Sequence, residues 1–428
     1  MEKQVQALLQ FLDAAHSVYH AVAYLEKTLA DAGYVRLQEQ EKWELTPGGK
    51  YYVIRGGSAI MAFRVPEQTP VGFMMSASHS DRPTFKIKEH SEMVGQYTRL
   101  ATERYGGMLM APWLDRPLSL AGRVLVQTDG GVEEKLLDAD QDLLLIPNVA
   151  IHMNRKANDG YSWNPVTDTI PLVGTKAAAG KLWAMLETLA GGKILGHDLY
   201  LYVREKSTVW GVDQEFVSGP ALDDLACVWG CTQGFLNAAP ARSLPVLCVF
   251  DSEEVGSCSV QGAASTILAD VLSRICRSLN LEQERMLAQS FLVSADNAHA
   301  VHPNHPEYAD AGNAPVVGGG VVLKFNANQR YTTDGLSAAV FRKICADAQA
   351  PLQSYCNRAD IPGGSTLGNI SLTHVSVPTV DIGLPQLAMH SCYETAGKAD
   401  VLSLETAMTA FYGTSMVRDA NRIVLEKG

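Results

Sequence analysis

Four short apolar runs in this chain stop at the same kind of residue. "GFMMSAS" leads into His79 and Asp81, and "LPVLCVF" into Asp251, Glu253 and Glu254. "SFLVSA" leads into Asp296, with His299 soon after, and "VDIGLPQLA" into Met389, His390 and Ser391. After residue 220 such runs alternate with helix-like stretches, which predicts an α/β sheet with helices on its faces. In an open α/β sheet the ligand site lies outside the carboxyl ends of the strands. Asp251, Glu253 and Glu254 crowd like charges together, and at the end of a buried strand that costs stability unless cations answer them. One acidic turn reads as a solvated loop; four converging strand ends read as a metal site. Imidazole with carboxylate, and without thiolate, suits zinc, manganese or cobalt in a hydrolytic centre. Two divalent ions, about 3.5–4 Å apart and sharing a carboxylate, would account for the number of acids. "SGPALDDLACVWG" offers that bridge, since Asp223 and Asp224 stand before an apolar helical run, where one of them can serve as an N-cap.

The rest of the chain sets the frame. Its 428 residues suffice for two domains or one large one, and 46% hydrophobic with 19% charged residues is ordinary for a globular protein. A formal charge of −11 argues against nucleic acid as a partner. The opening pattern of Val5, Leu8, Leu9 and Leu12 is amphipathic and carries acids, so no signal peptide is expected. No apolar run approaches a membrane span. The eight cysteines form no CxxC pair, which predicts buried free thiols in a reducing cytoplasm. Residues 4–32 read as one or two helices, and "KYYVIRGGSAIMAFRV" as a hairpin turning at Gly56-Gly57. From about 90 to 220 the chain reads as a β-rich unit with a second hairpin at Gly130-Gly131. The expected organisation is a catalytic domain from 1–90 and 221–428, with 91–220 inserted.

Seven blocks carry a family resemblance: "SASHSDRP", "GPALDDLACVW", "DSEEVGSCSVQGA", "SADNAHAVHPNHPEY", "KFNANQRYTTDG", "GGSTLGNI" and "MHSCYETAG". In this order they resemble the signature blocks of the M18 aminopeptidases, the aspartyl aminopeptidase branch of the dinuclear zinc exopeptidases. The resemblance implies a zinc-exopeptidase mixed sheet flanked by helices. It also implies removal of an N-terminal Asp or Glu from peptides, with an inserted β-rich domain that builds dimers into a tetrahedral dodecamer. Residue by residue, it assigns one metal to His79, Asp223 and Asp296 and the other to Asp223, Glu254 and His390. Asp81 resembles the carboxylate that orients His79, and Glu253 the general base. Tyr331 matches a tyrosine that donates to the oxyanion, and Lys324 a lysine in the substrate pocket that can pair with an acidic first side chain; without the resemblance Lys324 reads as a surface strand lysine. His152 matches a histidine that reaches a neighbouring subunit's site; without the resemblance it reads as a core histidine. Arg82 stands where the first block usually has Ser, Ala221 where an Arg precedes the Leu-Asp, and Asp224 where the family has Asn.

Two alternatives accompany this reading. One is a related dinuclear hydrolase, an aminopeptidase of neutral or broad specificity or a deacylase. The other is a non-catalytic receptor or scaffold on the same fold, which predicts a lost ligand or a lost Glu253; all are present. His299, His302 and His305 have helical spacing, but Pro303 and Pro306 argue against a continuous helix, and the trio reads as site wall and structural histidines. "GGSTLG" lacks the Lys of a phosphate loop and is expected to let backbone approach a substrate.

Overall fold

The computed structural model describes residues 2–428. A nine-stranded sheet forms its centre, in the order Val35–Arg36, Lys50–Arg55, Ala59–Arg64, Leu244–Phe250, Phe73–His79, Phe291–Ala295, Thr379–Gly383, Val321–Phe325 and Leu352–Cys356. Its strands alternate sides because successive residues of an extended chain point to opposite faces. Met74, Leu247, Val249 and Val293 face one core, together with helices Leu222–Asn237 and Lys398–Tyr412. Phe73, Met75, Val246 and Cys248 face the other, against helix Ile267–Ser278. A sheet covered on both faces explains why these runs are apolar throughout rather than alternating.

The four strands Leu244–Phe250, Phe73–His79, Phe291–Ala295 and Thr379–Gly383 are consecutive neighbours and all parallel. Their carboxyl ends are level: Phe250 pairs with His79, and Ala295 with Ile382. The expected hairpin joins Lys50–Arg55 to Ala59–Arg64, with Gly56 and Gly57 both at positive φ. The N-terminal stretch forms two helices, Glu2–Ala14 and Val18–Asp31, the second capped by Ser17.

A six-stranded antiparallel sheet is built wholly from strands between Thr84 and Val203. Its core, with Phe85, Leu120, Val124 and Leu199, is closed by Leu182 and Leu186 of helix Lys181–Ala190. The second expected hairpin lies here, with Thr128 paired to Gly131. Thr208–Trp210 and Phe216–Gly219 instead join a five-stranded sheet with Glu394–Gly397, Pro385–Leu387 and Ala298–His299. Lys86 and Arg123 both pair with Asp198 at 2.8 Å, and Tyr19 from the second helix donates to the same carboxylate. His16 meets Asp138 at 2.6 Å and stacks on Tyr202. These contacts tie the helical N-terminus to the antiparallel sheet. All eight cysteines are free and six are buried, whereas Cys258 is exposed and Cys356 half-buried. Among the described residues no helix is long and apolar enough to cross a membrane.

One glycine couples the sheet to its rim. A Cβ on Gly383 would lie 2.0 Å from the carbonyl oxygen of Asp296 on the adjacent strand end. Gly383→Ala is therefore expected to cost about 1–3 kcal/mol through overpacking, read as a lower urea midpoint. A variant as stable as the parent would show that the strand end yields without cost.

Candidate metal centre

Three parallel strand ends deliver His79, Glu254 and Asp296, whereas the expected fourth does not reach His390 directly: the chain leaves Thr379–Gly383, joins the five-stranded sheet as Pro385–Leu387, and only then reaches His390. His79 is the last residue of its strand and is 1% exposed. Its Nδ1 lies 3.3 Å from Asp81 Oδ1 and 3.1 Å from the Asp81 carbonyl, while Nε2 lies 3.8 Å from Asp223 Oδ1. His390 is arranged likewise: Nδ1 is 2.6 Å from the Gly107 carbonyl, and Nε2 is 3.5 Å from Asp223 Oδ2 and 3.4 Å from Glu254 Oε2. A ligating histidine is normally held at one nitrogen so that the other faces the ion. Both imidazoles have this form.

Two groups of donor atoms each fall within 4.8 Å: His79 with Asp223 and Asp296, and Asp223 with Glu254 and His390. Asp223 belongs to both. Asp223 Oδ1 and Glu254 Oε1 are buried oxygens with no hydrogen-bond partner. Orphaned oxygens on two carboxylates of these donor groups are what a cation would satisfy, so the donor set fits two divalent ions sharing one carboxylate. The local electrostatics agree. Burial, with the charge of Asp223 next, pushes Glu254 well above the usual carboxylate range. Burial pushes the His390 imidazole down, but its hydrogen bond to Asp223 and that carboxylate's charge lift it to about 9.

Asp81 organises one side of the centre. Its carboxylate accepts the backbone N–H of Glu253 at 3.0 Å, that of Glu254 at 3.1 Å, and the Tyr105 hydroxyl at 2.7 Å. Glu253 lies outside both donor groups. Asp223 and Asp224 open their helix with non-helical backbone, and neither caps it; the N-cap position is Ala221, at positive φ. The expected aspartate cap is thus replaced: Asp224 Oδ2 accepts the N–H of His79 at 3.2 Å, while Asp223 turns into the site.

Lys324 is buried and donates to the carbonyls of Asp296 at 2.8 Å and Asn297 at 3.2 Å. Tyr331 is 4% exposed, 5.0 Å from the Lys324 ammonium, and burial, ahead of that neighbour's opposing charge, raises its hydroxyl pKa. The next residue, Thr332, donates its N–H to Asp381, which fixes the turn. His152 is not brought to this cluster. It lies on an exposed turn after Val149, and the core-histidine reading fails because nothing covers it within its own chain. His299 ends a short strand and is exposed. His305 pairs with the exposed Glu307. The last glycine of "GGSTLG" serves packing, since a Cβ on Gly368 would strike Ser294 and Asp381. Residue patterns do not point to Tyr105, Asn297, Gln386 or Glu394, each of which has at least one partner remote in the chain. The available signals are that Asn297 lies inside "SADNAHAVHPNHPEY" and Glu394 inside "MHSCYETAG".

Residues 11–412 match the family described as Aminopeptidase I zinc metalloprotease (M18). A probable M18 family aminopeptidase 2 of Clostridium acetobutylicum is 41% identical over 426 residues, covering 95% of this chain and 97% of the relative. A chain in the cryo-EM structure of the Ape4 and Nbr1 complex superposes with a TM-score of 0.93 at 34% identity, covering 96% of this chain and 85% of that one. The mApe1 dodecamer of S. cerevesiae superposes with a TM-score of 0.83 at 26% identity, covering 95% of both chains.

Tyr105 offers a direct check on the Asp81 hub. Tyr105→Phe removes one charge-assisted hydrogen bond, of a kind that contributes about 1.5–3 kcal/mol. Zinc retention against a competing chelator is expected to fall about 10-fold or more. Unchanged retention would mean that Asp81 holds His79 without it.

Proposed function

This chain belongs to the M18 family of zinc metalloaminopeptidases, and from that premise we propose that it removes a single N-terminal Asp or Glu from peptides using two divalent ions and Glu253 as general base. The observation that carries the proposal is the sharing of Asp223 by two donor groups, with Glu253 beside them and in neither. When bound, the ions would supply the positive charge that polarises a scissile carbonyl and acidifies water. Zinc is the family's metal; manganese or cobalt suits the same donors.

The chain's own groups then divide the work. Glu253 accepts a proton from the attacking water and passes it to the leaving amine. In the ion-free chain burial is the main cause that raises its carboxyl pKa, opposed by His79 and assisted by Asp296, Asp81 and Asp223; bound ions would oppose that rise and keep it a carboxylate able to accept the proton. Tyr331, kept protonated by burial, donates to the developing oxyanion. Lys324 uses two of its donors on the Asp296 and Asn297 carbonyls. Its third N–H has no hydrogen-bond partner among the described residues, with Asp296 Oδ2 as far as 3.8 Å, and is left for an acidic substrate side chain.

Assembly belongs to the same proposal. His152, exposed in its own chain, would reach the site of a neighbouring copy. The 91–220 insertion would make the dimer contact, and dimers would build a tetrahedral dodecamer. The superposition on the mApe1 dodecamer supports this. Buried free thiols suit action in the cytoplasm.

Purified protein should hydrolyse peptides with N-terminal Asp or Glu, lose that activity to a chelator and regain it with zinc or manganese. Glu253→Gln is expected to lower kcat about 10²–10⁴-fold while keeping both ions. A variant that keeps its activity would remove Glu253 from the chemistry.

Specificity is read separately. Lys324→Met should narrow the preference for Asp over Leu by raising KM for the acidic peptide alone. Equal turnover of Leu and Asp by the parent protein would leave the hydrolytic chemistry and overturn the acidic specificity. No turnover of any peptide by the loaded oligomer would favour a deacylase or a scaffold.

A further inference from the structure

Glu394 is 1% exposed and lies outside both donor groups. Its two carboxylate oxygens each accept a backbone N–H from a ligand residue: Oε2 from Asp223 at 2.8 Å and Oε1 from His390 at 2.7 Å. Asp223 and His390 come from opposite ends of the C-terminal half and share the second donor group. His390 sits at φ 65°, a left-handed conformation that a histidine holds only when its surroundings impose it. Three contacts impose it here. Glu394 takes the N–H, the N–H of Leu109 donates to the carbonyl at 3.0 Å, and the Gly107 carbonyl engages Nδ1.

The contact continues inward. Gln386 Nε2 lies 3.5 Å from Glu394 Oε1, and Gln386 Oε1 accepts from Asn297 Nδ2 at 2.7 Å. The other Asn297 Nδ2 proton goes to the Leu222 carbonyl at 2.7 Å, next to Asp223, and its Oδ1 accepts the N–H of Leu384. Asn297 itself follows Asp296. One buried side-chain chain, Glu394–Gln386–Asn297, thus touches the backbone beside Asp223, His390 and Asp296.

We propose that Glu394 is a positioning residue that locks Asp223 and His390 into one ion-ready geometry through their backbone N–H groups, and that Gln386 and Asn297 extend the clamp to Asp296. The inference rests on the two-ion reading above. The chemistry of the side chain makes it specific. A carboxylate presents acceptors on both sides, whereas an amide presents one acceptor and one donor. Whichever way a glutamine at this position turns, its NH₂ meets the N–H of Asp223 or of His390. A carboxylate that only filled space would tolerate the isosteric amide.

The test strips the full-length protein with a chelator and titrates zinc against a chromogenic competitor. Cobalt(II) absorption reports the ligand geometry, and urea unfolding the stability of the zinc-free chain. Glu394→Gln is expected to lose about 10–100-fold in zinc affinity at one step, to alter the cobalt spectrum, and to unfold near the parental urea midpoint. Parental zinc affinity and spectrum in that variant would overturn the proposal. If Glu394→Gln does not fold, Gln386→Met decides: weaker zinc binding at parental zinc-free stability supports the clamp, and parental binding overturns it. Should the parent itself hold only one zinc, the two-ion reading fails; a Glu394→Gln effect on that single ion still supports the clamp, and none overturns it.

Discussion

Repulsion among buried carboxylates governs this structure. Asp81, Asp223, Asp224, Asp296 and Glu394 are all buried in one region, with Glu253 and Glu254 beside them. The fixed cations among them are few. Lys324 meets Asp296, and the desolvated Arg82 is held charged by Glu394 and Asp81. Bringing so many acids out of water is unfavourable unless each is hydrogen-bonded or matched by charge. Two of them, Asp81 and Glu394, are answered chiefly by backbone N–H donors. Asp223, Asp224 and Glu254 each keep a buried oxygen without a hydrogen-bond partner, which leaves divalent ions as the natural counter-charge.

The division between clamping and ligating acids explains the local backbone. Ala221, Ser252, Ala388 and His390 all take positive φ within two residues of a donor residue. Such conformations persist where surrounding contacts over-determine them. Asp81 supplies those contacts for the Glu253–Glu254 turn, and Glu394 for the His390 turn. The parallel sheet sets where the Glu253–Glu254 turn starts, and the pairing of Pro385–Leu387 with Glu394–Gly397 in the five-stranded sheet sets where the His390 turn starts.

The antiparallel sheet completes one wall. Tyr105, at the end of one of its strands, donates to Asp81. Just beyond it, Gly106 packs against Glu254, with room for a Cβ only 3.1 Å from that side chain, and Gly107 holds His390. The Lys86–Asp198–Arg123 cluster and the His16–Asp138 pair keep this sheet docked against the N-terminal helices. Any shift of that docking would move Tyr105 and Gly107, and with them the two imidazole-bearing segments.

Much of this was legible in the chain itself. Apolar runs that stop at His or Asp mark strand ends, because a strand leaving a core covered on both faces must change character at the rim. The doubled glycine at Gly56-Gly57 marks a hairpin because it tolerates positive φ. The block "MHSCYETAG" and its companions carried the family resemblance. The roles of Tyr105, Gln386, Asn297 and Glu394 were not legible, nor was the failure of either Asp223 or Asp224 to cap its helix. Residue type and spacing report local geometry, and these residues act on partners up to 171 positions away. Residue order alone brings acids and imidazoles to the ends of sheet strands. Which acids face the ions and which hold the backbone is settled by folding, because that choice depends on which N–H groups long-range packing brings within hydrogen-bond reach.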